Sequence, residues 1–314
     1  KQWIDLRELN PDYIFFQQPY NITKFENYKS FNVSKFSELC YVPYFYSTNK
    51  KLTYECMPQD FMKDVKYFFL QNETENRWYT EYFNQFYNAN SEMFVTGYPK
   101  FDGLVTYKTM ESSLWKLPRN GSYRIIWTPR WTTNEGNCHF FKYRYNFEDL
   151  CKDNQKIDFV FRPHPQAFLE WNSTGEMLIA ESNKMIRKYE ESPNMTIDKN
   201  ADYLPLFYSS DCLVTDISSV VPEYLLTGKP IIYCKNKKTV NNIEGKITEG
   251  FYTVHDWNEL HSTINQLING IDPLKKTREK LITEELRYDP NYCSGEKITE
   301  IIKTKFLECI NAQN

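Results

Sequence analysis

Hydrophobic positions along this chain fall into short runs separated by stretches whose apolar residues recur every three or four places, the alternation of strand and helix expected of an α/β protein. The alternation is sharpest over residues 211–234. Cys212-Leu-Val-Thr215 is an apolar run of parallel-strand type, and Asp216-Ile-Ser-Ser219 interrupts it with residues that favour turns and helix caps. A helix follows, closed by Gly228 before Pro230 opens a second strand. Ser218 or Ser219 is placed to cap that helix, and Pro222 is tolerated in its first turn. In such a crossover, ligands bind beyond the C-terminal end of the strand. The backbone amides of Ser218 and Ser219, with the positive helix end, are then a candidate phosphate cradle, although an ordinary capped helix explains the same residues.

The rest of the chain supplies two α/β domains around this unit. Residues 11–17 form an apolar strand ending in a polar loop at Gln17 and Gln18, and residues 39–45 form a second, with Pro43 at an edge or at its end. Residues 58–90 show a helical period with an aromatic face (Phe61, Val65, Phe68, Phe69, Trp78, Tyr82, Phe83, Phe86), and residues 92–96 read as a strand. Turn formers at 117–122 mark a linker, so the expected domains are 1–118 and 119–290, with a final helical segment at 291–314 packing back towards the first. Strands are expected at 124–128, 157–161, 195–197 and 212–215, helices around 146–153 and 168–172, a polar loop at 235–251, and helices at 257–268, 273–286 and 294–309.

Composition narrows the function. A net charge of −3, with Lys and Arg spread along 314 residues, gives no nucleic-acid footprint, and no apolar run is long enough to span a membrane. Eight cysteines lie far apart without a Cys-x-x-Cys pair, which argues against zinc and for reduced thiols in a cytoplasmic protein. The six Asn-x-Ser/Thr triplets are what an Asn-rich chain produces by chance. The chain opens on Lys1 without the apolar core of a signal peptide, and reads as a trimmed or internal piece whose first domain is short for a complete Rossmann unit.

Three polar loops follow three strands of the second domain: Thr128-Pro-Arg130, Arg162-Pro-His164 and Thr215-Asp216-Ile-Ser218-Ser219. Parallel strands point their C-termini the same way, so these loops converge on one crevice holding two guanidinium groups, an imidazole, hydroxyls and a helix start, an inventory suited to a pyrophosphate. Glu223, one turn into the helix, is either an acceptor for ribose hydroxyls or a surface carboxylate near the positive helix end. His164, held between two prolines, is the candidate catalytic residue, whereas His139, His255 and His261 read as surface or structural. With no Walker loop, Gly-x-Gly-x-x-Gly or paired acidic metal motif, the expectation is phosphate binding with no metal or other cofactor.

Taken together and in order, residues 11–20, Val95-Thr-Gly-Tyr-Pro-Lys-Phe-Asp102, Ile126-Trp-Thr-Pro-Arg-Trp131, Arg162-Pro-His-Pro165 and residues 211–230 resemble the CDP-glycerol glycerophosphotransferase family of teichoic-acid and capsule synthesis. The resemblance implies a GT-B fold of two Rossmann-like domains whose parallel sheets face a central cleft, the second binding CDP and the first presenting the acceptor. It implies transfer of glycerol phosphate from CDP-glycerol to a glycan or polyol-phosphate acceptor, with release of CMP, at the inner face of the cell membrane. On the matching positions, Arg162 and His164 belong to the loop that contacts pyrophosphate, and Asp216, Ser218 and Ser219 to the loop at the helix start. One departure stands out: family members carry a Trp-His-Gly type motif in the first domain, whose histidine is the proposed base, and here no histidine precedes His139. A glycosyltransferase using a nucleotide sugar, and a nucleotide-binding module without catalysis, are the rival readings.

Overall fold

The computed structural model describes residues 4–21, 25–47, 50–55, 58–86, 91–236, 243 and 245–313. Cys56 and residues 237–242 and 244 of the 235–251 loop lie outside them. The chain divides into two compact units, residues 1–102 with 289–314, and residues 103–288.

The first unit is built on four parallel strands, β1 (Tyr13–Phe16), β2 (Glu38–Tyr41), β3 (Val65–Leu70) and β4 (Glu92–Val95), in that spatial order. Side chains alternate across the pleat, so Tyr67 and Phe69 of β3 face one layer while Phe68 and Leu70 face the other. The Glu73–Phe86 helix covers the second face through Tyr79, Tyr82 and Phe83, and the Ser294–Gln313 helix covers the first through Ile298, Ile301 and Ile302. That last helix begins against Gly97, whose φ of +83° suits glycine and where an added Cβ would stand 2.5 Å from Ser294 Oγ. Asp102 fixes its start by accepting from the amides of Ser294 (2.9 Å) and Gly295 (2.8 Å).

Residues 58–90 are not one helix. A short Gln59–Met62 helix gives way to β3 before the Glu73–Phe86 helix begins. Positions 61, 65, 68 and 69 fit a 3.6-residue period, but Val-Lys-Tyr-Phe-Phe-Leu is rich in β-branched and aromatic residues and is buried on both faces of the sheet, where periodicity cannot separate strand from helix.

The second unit holds six parallel strands, β5 (Tyr123–Thr128), β6 (Ile157–Phe161), β7 (Met195–Ile197), β8 (Cys212–Thr215), β9 (Ile231–Cys234) and β10 (Phe251–Val254), in the order β10-β9-β8-β5-β6-β7. The chain moves outward from β5 to β7, returns to lay β8 on the other side of β5, and then moves outward to β10. The direction of winding therefore reverses between β5 and β8, which is where an open α/β sheet leaves its ligand crevice. Thr128 and Thr215 face each other across that junction, both buried, with their hydroxyls 2.9 Å apart. Ile125 and Trp127 anchor one layer with Phe147, Phe159 and Phe161; Trp127 and Phe147 ring centres are 4.6 Å apart.

Residues 103–118 belong to this unit, where the sequence placed them in the first domain. Trp115 donates to Ser209 Oγ (2.7 Å), Lys116 Nζ caps the Ile179–Glu191 helix through the carbonyls of Tyr189, Glu190 and Ser192, and the Leu117 amide donates to buried Asp158 (2.8 Å). The turn formers at 117–122 lead into β5 rather than linking domains.

Candidate active site at the winding reversal of the second unit

The three loops following β5, β6 and β8 meet through named contacts. Asp216, 1% exposed, accepts from the amides of Arg130 (2.8 Å) and His139 (3.0 Å) at Oδ2 and contacts His139 Nδ1 (2.6 Å) at Oδ1. A carboxylate spent on three N–H donors ties loops together and has little left for a ligand. Trp131 stacks on the His164 ring at 5.2 Å between centres and 16° between planes, joining the first loop to the second. Arg162 reaches from the second loop to Asp198 Oδ2 and to Asn200 O (3.0 Å), with its guanidinium 4.7 Å from the Tyr203 ring centre. Tyr203 in turn donates its hydroxyl proton to Glu223. Burial and the neighbouring Glu223 charge push the Tyr203 phenol far up, so it stays a donor at every accessible pH.

His164 lies exposed at the rim, and its Nδ1 accepts from the Gln166 amide (3.2 Å). The ring proton therefore sits on Nε2, directed away from the backbone. Shielding of the ring and the positive charge of Arg130 hold its pKa below the ordinary value, so near neutrality His164 is an uncharged Nε2–H donor.

The helix after β8 differs from expectation. It spans only Val221–Leu225, and its N-cap is Val220, with no side-chain cap. Pro222 occupies its first turn, and Gly228 (φ +72°) closes the following turn. Ser218 Oγ stands 3.5 Å from the Val220 amide and Ser219 is exposed, so neither hydroxyl caps in the usual way. The dipole of so short a helix is small. The useful donors are in the turn itself: the amides of Ile217, Ser218 and Ser219 make no hydrogen bond among the described residues. Three successive open amides are donors available to an anion.

Both arginines are engaged. Arg130 holds Glu135 in a fork (Nε to Oε2 3.2 Å, Nη2 to Oε1 3.0 Å), and Arg162 pairs with Asp198, so each presents its remaining N–H groups from a fixed position. Glu223 is not a surface residue; it is 3% exposed beneath Tyr203. The Thr128 hydroxyl donates to Thr215 Oγ1, and that of Thr215 bonds the carbonyls of Thr128 and Asp216, which gives both a structural place behind the loops. Gln17 and Gln18 follow β1 in the other unit, exposed.

Sequence reasoning passed over His139, which is 4% exposed and backed by Asp216, and Tyr203 and Asp198, which position Arg162. It also passed over Glu75 in the first unit, where burial drives the carboxyl up to about 7 against hydrogen bonds from the Gln71 amide (2.7 Å) and Ser47 Oγ (2.5 Å). Among the described residues, no group of three or more His, Cys, Asp or Glu is arranged to hold a metal ion, and no helix is long and apolar enough to cross a membrane.

Known structures share this architecture. The wall teichoic acid polymerase TagF superposes with a TM-score of 0.60 at 16% identity, covering 94% of this chain and 72% of that one. A TagF variant soaked with CDPG gives 0.59 at 16%, covering 95% and 73%. UDP-GlcNAc 2-epimerase from Neisseria meningitidis bound to UDP-GlcNAc gives 0.61 at 17%, covering 95% and 78%. These likenesses establish a GT-B fold. No curated protein matches the chain in sequence. The family model for CDP-Glycerol:Poly(glycerophosphate) glycerophosphotransferase matches residues 47–294, about four-fifths of the chain, and it is to this family of CDP-glycerol-using transferases that the protein belongs.

Proposed function

We propose that the protein transfers glycerol phosphate, or a related polyol phosphate, from a CDP-activated donor to a hydroxyl of a cell-surface glycan or polymer, releasing CMP at the inner face of the membrane. The observation that carries this reading is the turn of three open amides, residues 217–219, at the winding reversal and next to a loop bearing an Nε2–H imidazole. In this reading the amides receive the pyrophosphate, Arg162 and Arg130 supply fixed positive charge, and buried Glu223 with Tyr203 faces the ribose side. The acceptor oxygen attacks the β-phosphorus, the bond from that phosphorus to the bridging oxygen breaks, and its electron pair leaves with CMP. The acceptor proton passes to a base, for which the Trp-His-Gly histidine of the family has no counterpart here. His164 donates to the bridging oxygen as negative charge grows there, so its interaction strengthens towards the transition state.

Donor profiling tests the proposal. With a polyol-phosphate or glycan acceptor, CDP-glycerol or CDP-ribitol should yield CMP while UDP-GlcNAc yields no product. Turnover of the UDP-sugar instead, or CDP binding without turnover on any acceptor, would reject it.

A further inference from the structure

A second pocket opens on the same C-terminal edge of the second unit's sheet, beside β9 and β10. It has a volume of about 300 Å³, at the small end of ligand-sized cavities, and is lined by Cys138, His139, Lys142, Lys235, Asn236, His255 and Asp256. Two helices of substantial length, Phe140–Asp153 and Trp257–Ile268, begin at its wall, with the Cys138 sulfur accepting from the Phe140 and Phe141 amides of the first and Asp256 capping the second. Their positive ends favour an anion. His139 supplies the independent sign of a ligand: it is nearly fully buried, its Nδ1 is committed to Asp216 at 2.6 Å, and its Nε2 has no hydrogen-bond partner among the described residues although the ring lines the pocket. His255 repeats the arrangement, with Nδ1 directed at the Lys235 carbonyl (3.2 Å), which leaves Nε2 outward. The one carboxylate in the lining, Asp256, is turned onto the Glu259 amide (3.0 Å) as the cap of its helix, and the ammonium groups of Lys142 and Lys235 outweigh it.

We infer that this pocket binds the phosphate group of a polyol phosphate, held by Lys142, Lys235 and the Nε2 atoms of His139 and His255. Naming the polyol rests on the function proposed above, while the anion site rests on the lining. Asp216, which holds the His139 ring, directly precedes the amide turn of residues 217–219, so the pocket adjoins that turn.

Four histidines make the test direct, because each imidazole gives its own signal in a long-range ¹H–¹⁵N spectrum of the full chain. Titration with glycerol 3-phosphate should move the His139 and His255 signals saturably, with glycerol alone as the control. Lys142→Glu and Lys235→Glu should each weaken that affinity at least tenfold and leave the response of His164 to CDP in place. Lys142 is exposed, so its variant folds and carries the test by itself if the other does not. Static His139 and His255 signals, an equal response to glycerol, or undiminished affinity in the variants would overturn the inference. A His164 signal indifferent to CDP would count against the nucleotide site instead, and leave this pocket standing if His139 and His255 still respond.

Discussion

Replacing Glu75 by Gln should stabilise the protein at alkaline pH and leave it nearly unchanged at acid pH. Glu75 is 1% exposed, and burial raises its pKa from an ordinary 4.5 to about 7, even though the Gln71 amide and Ser47 hydroxyl both favour the charged form. Between those two values the folded protein keeps a proton that the unfolded chain has released, so stability falls as pH rises through the interval and levels off above it. The full size is the shift multiplied by about 1.36 kcal/mol per pH unit, or about 3 kcal/mol. Glutamine copies the protonated carboxyl, with an acceptor for the Gln71 amide and a donor for Ser47, and does not titrate. The assay is urea unfolding of both proteins at pH 4.5, 6 and 8, where taking the difference between them cancels every other titrating group. The Gln variant should gain about 3 kcal/mol on the wild type between the two ends of that range. A difference that is constant with pH, or a Gln variant that loses ground at pH 8, would mean the hydrogen bonds outweigh burial and the reasoning is wrong.

Three further outcomes follow from the second unit. His164→Ala should lower kcat more than it raises KM, by on the order of 10²-fold, with an unchanged melting temperature; unaltered single-turnover rates would remove His164 from the site. Tyr203→Phe deprives buried Glu223 of a hydroxyl donor and should cost about 1–3 kcal/mol in urea unfolding, and no loss would show that Glu223 does not depend on it. Arg278, fully buried with Asp272 and the carbonyls of Gly228 and Gly250, should cost about 3–5 kcal/mol when changed to Leu, because Asp272 and both carbonyls lose their partner; a neutral result in thermal unfolding would contradict this.

Much of this molecule could be read from its residues, and the failures share a cause. β5, β6 and β8 announced themselves because each is a buried apolar run that stops at a polar turn, and the same rule located the loops that meet at the reversal. β3 was lost inside a helical pattern because a strand buried on both faces has no alternation to show. β10 was lost because Phe251-Tyr-Thr-Val254 is short and follows a polar stretch. His139 passed for an ordinary histidine because its partner, Asp216, stands 77 residues away, a pairing that only the parallel β5–β8 junction creates. The surface reading of Glu223 fails because the Tyr203 side chain that covers it comes from beyond β7.

The first unit is assembled from both ends of the chain, and this bears on how the protein is made. Residues 103–288 are contiguous, so as the polypeptide leaves the ribosome the second unit has every strand it needs while the first still lacks the Ser294–Gln313 helix. Until that helix emerges, Cys40, Tyr67, Phe69 and Phe94 lack the Ile298, Ile301 and Ile302 side chains that pack on them. The nascent protein thus carries an aromatic, aggregation-prone surface for the whole time it takes to synthesise the second unit, and a chain terminated after Tyr288 would carry it permanently.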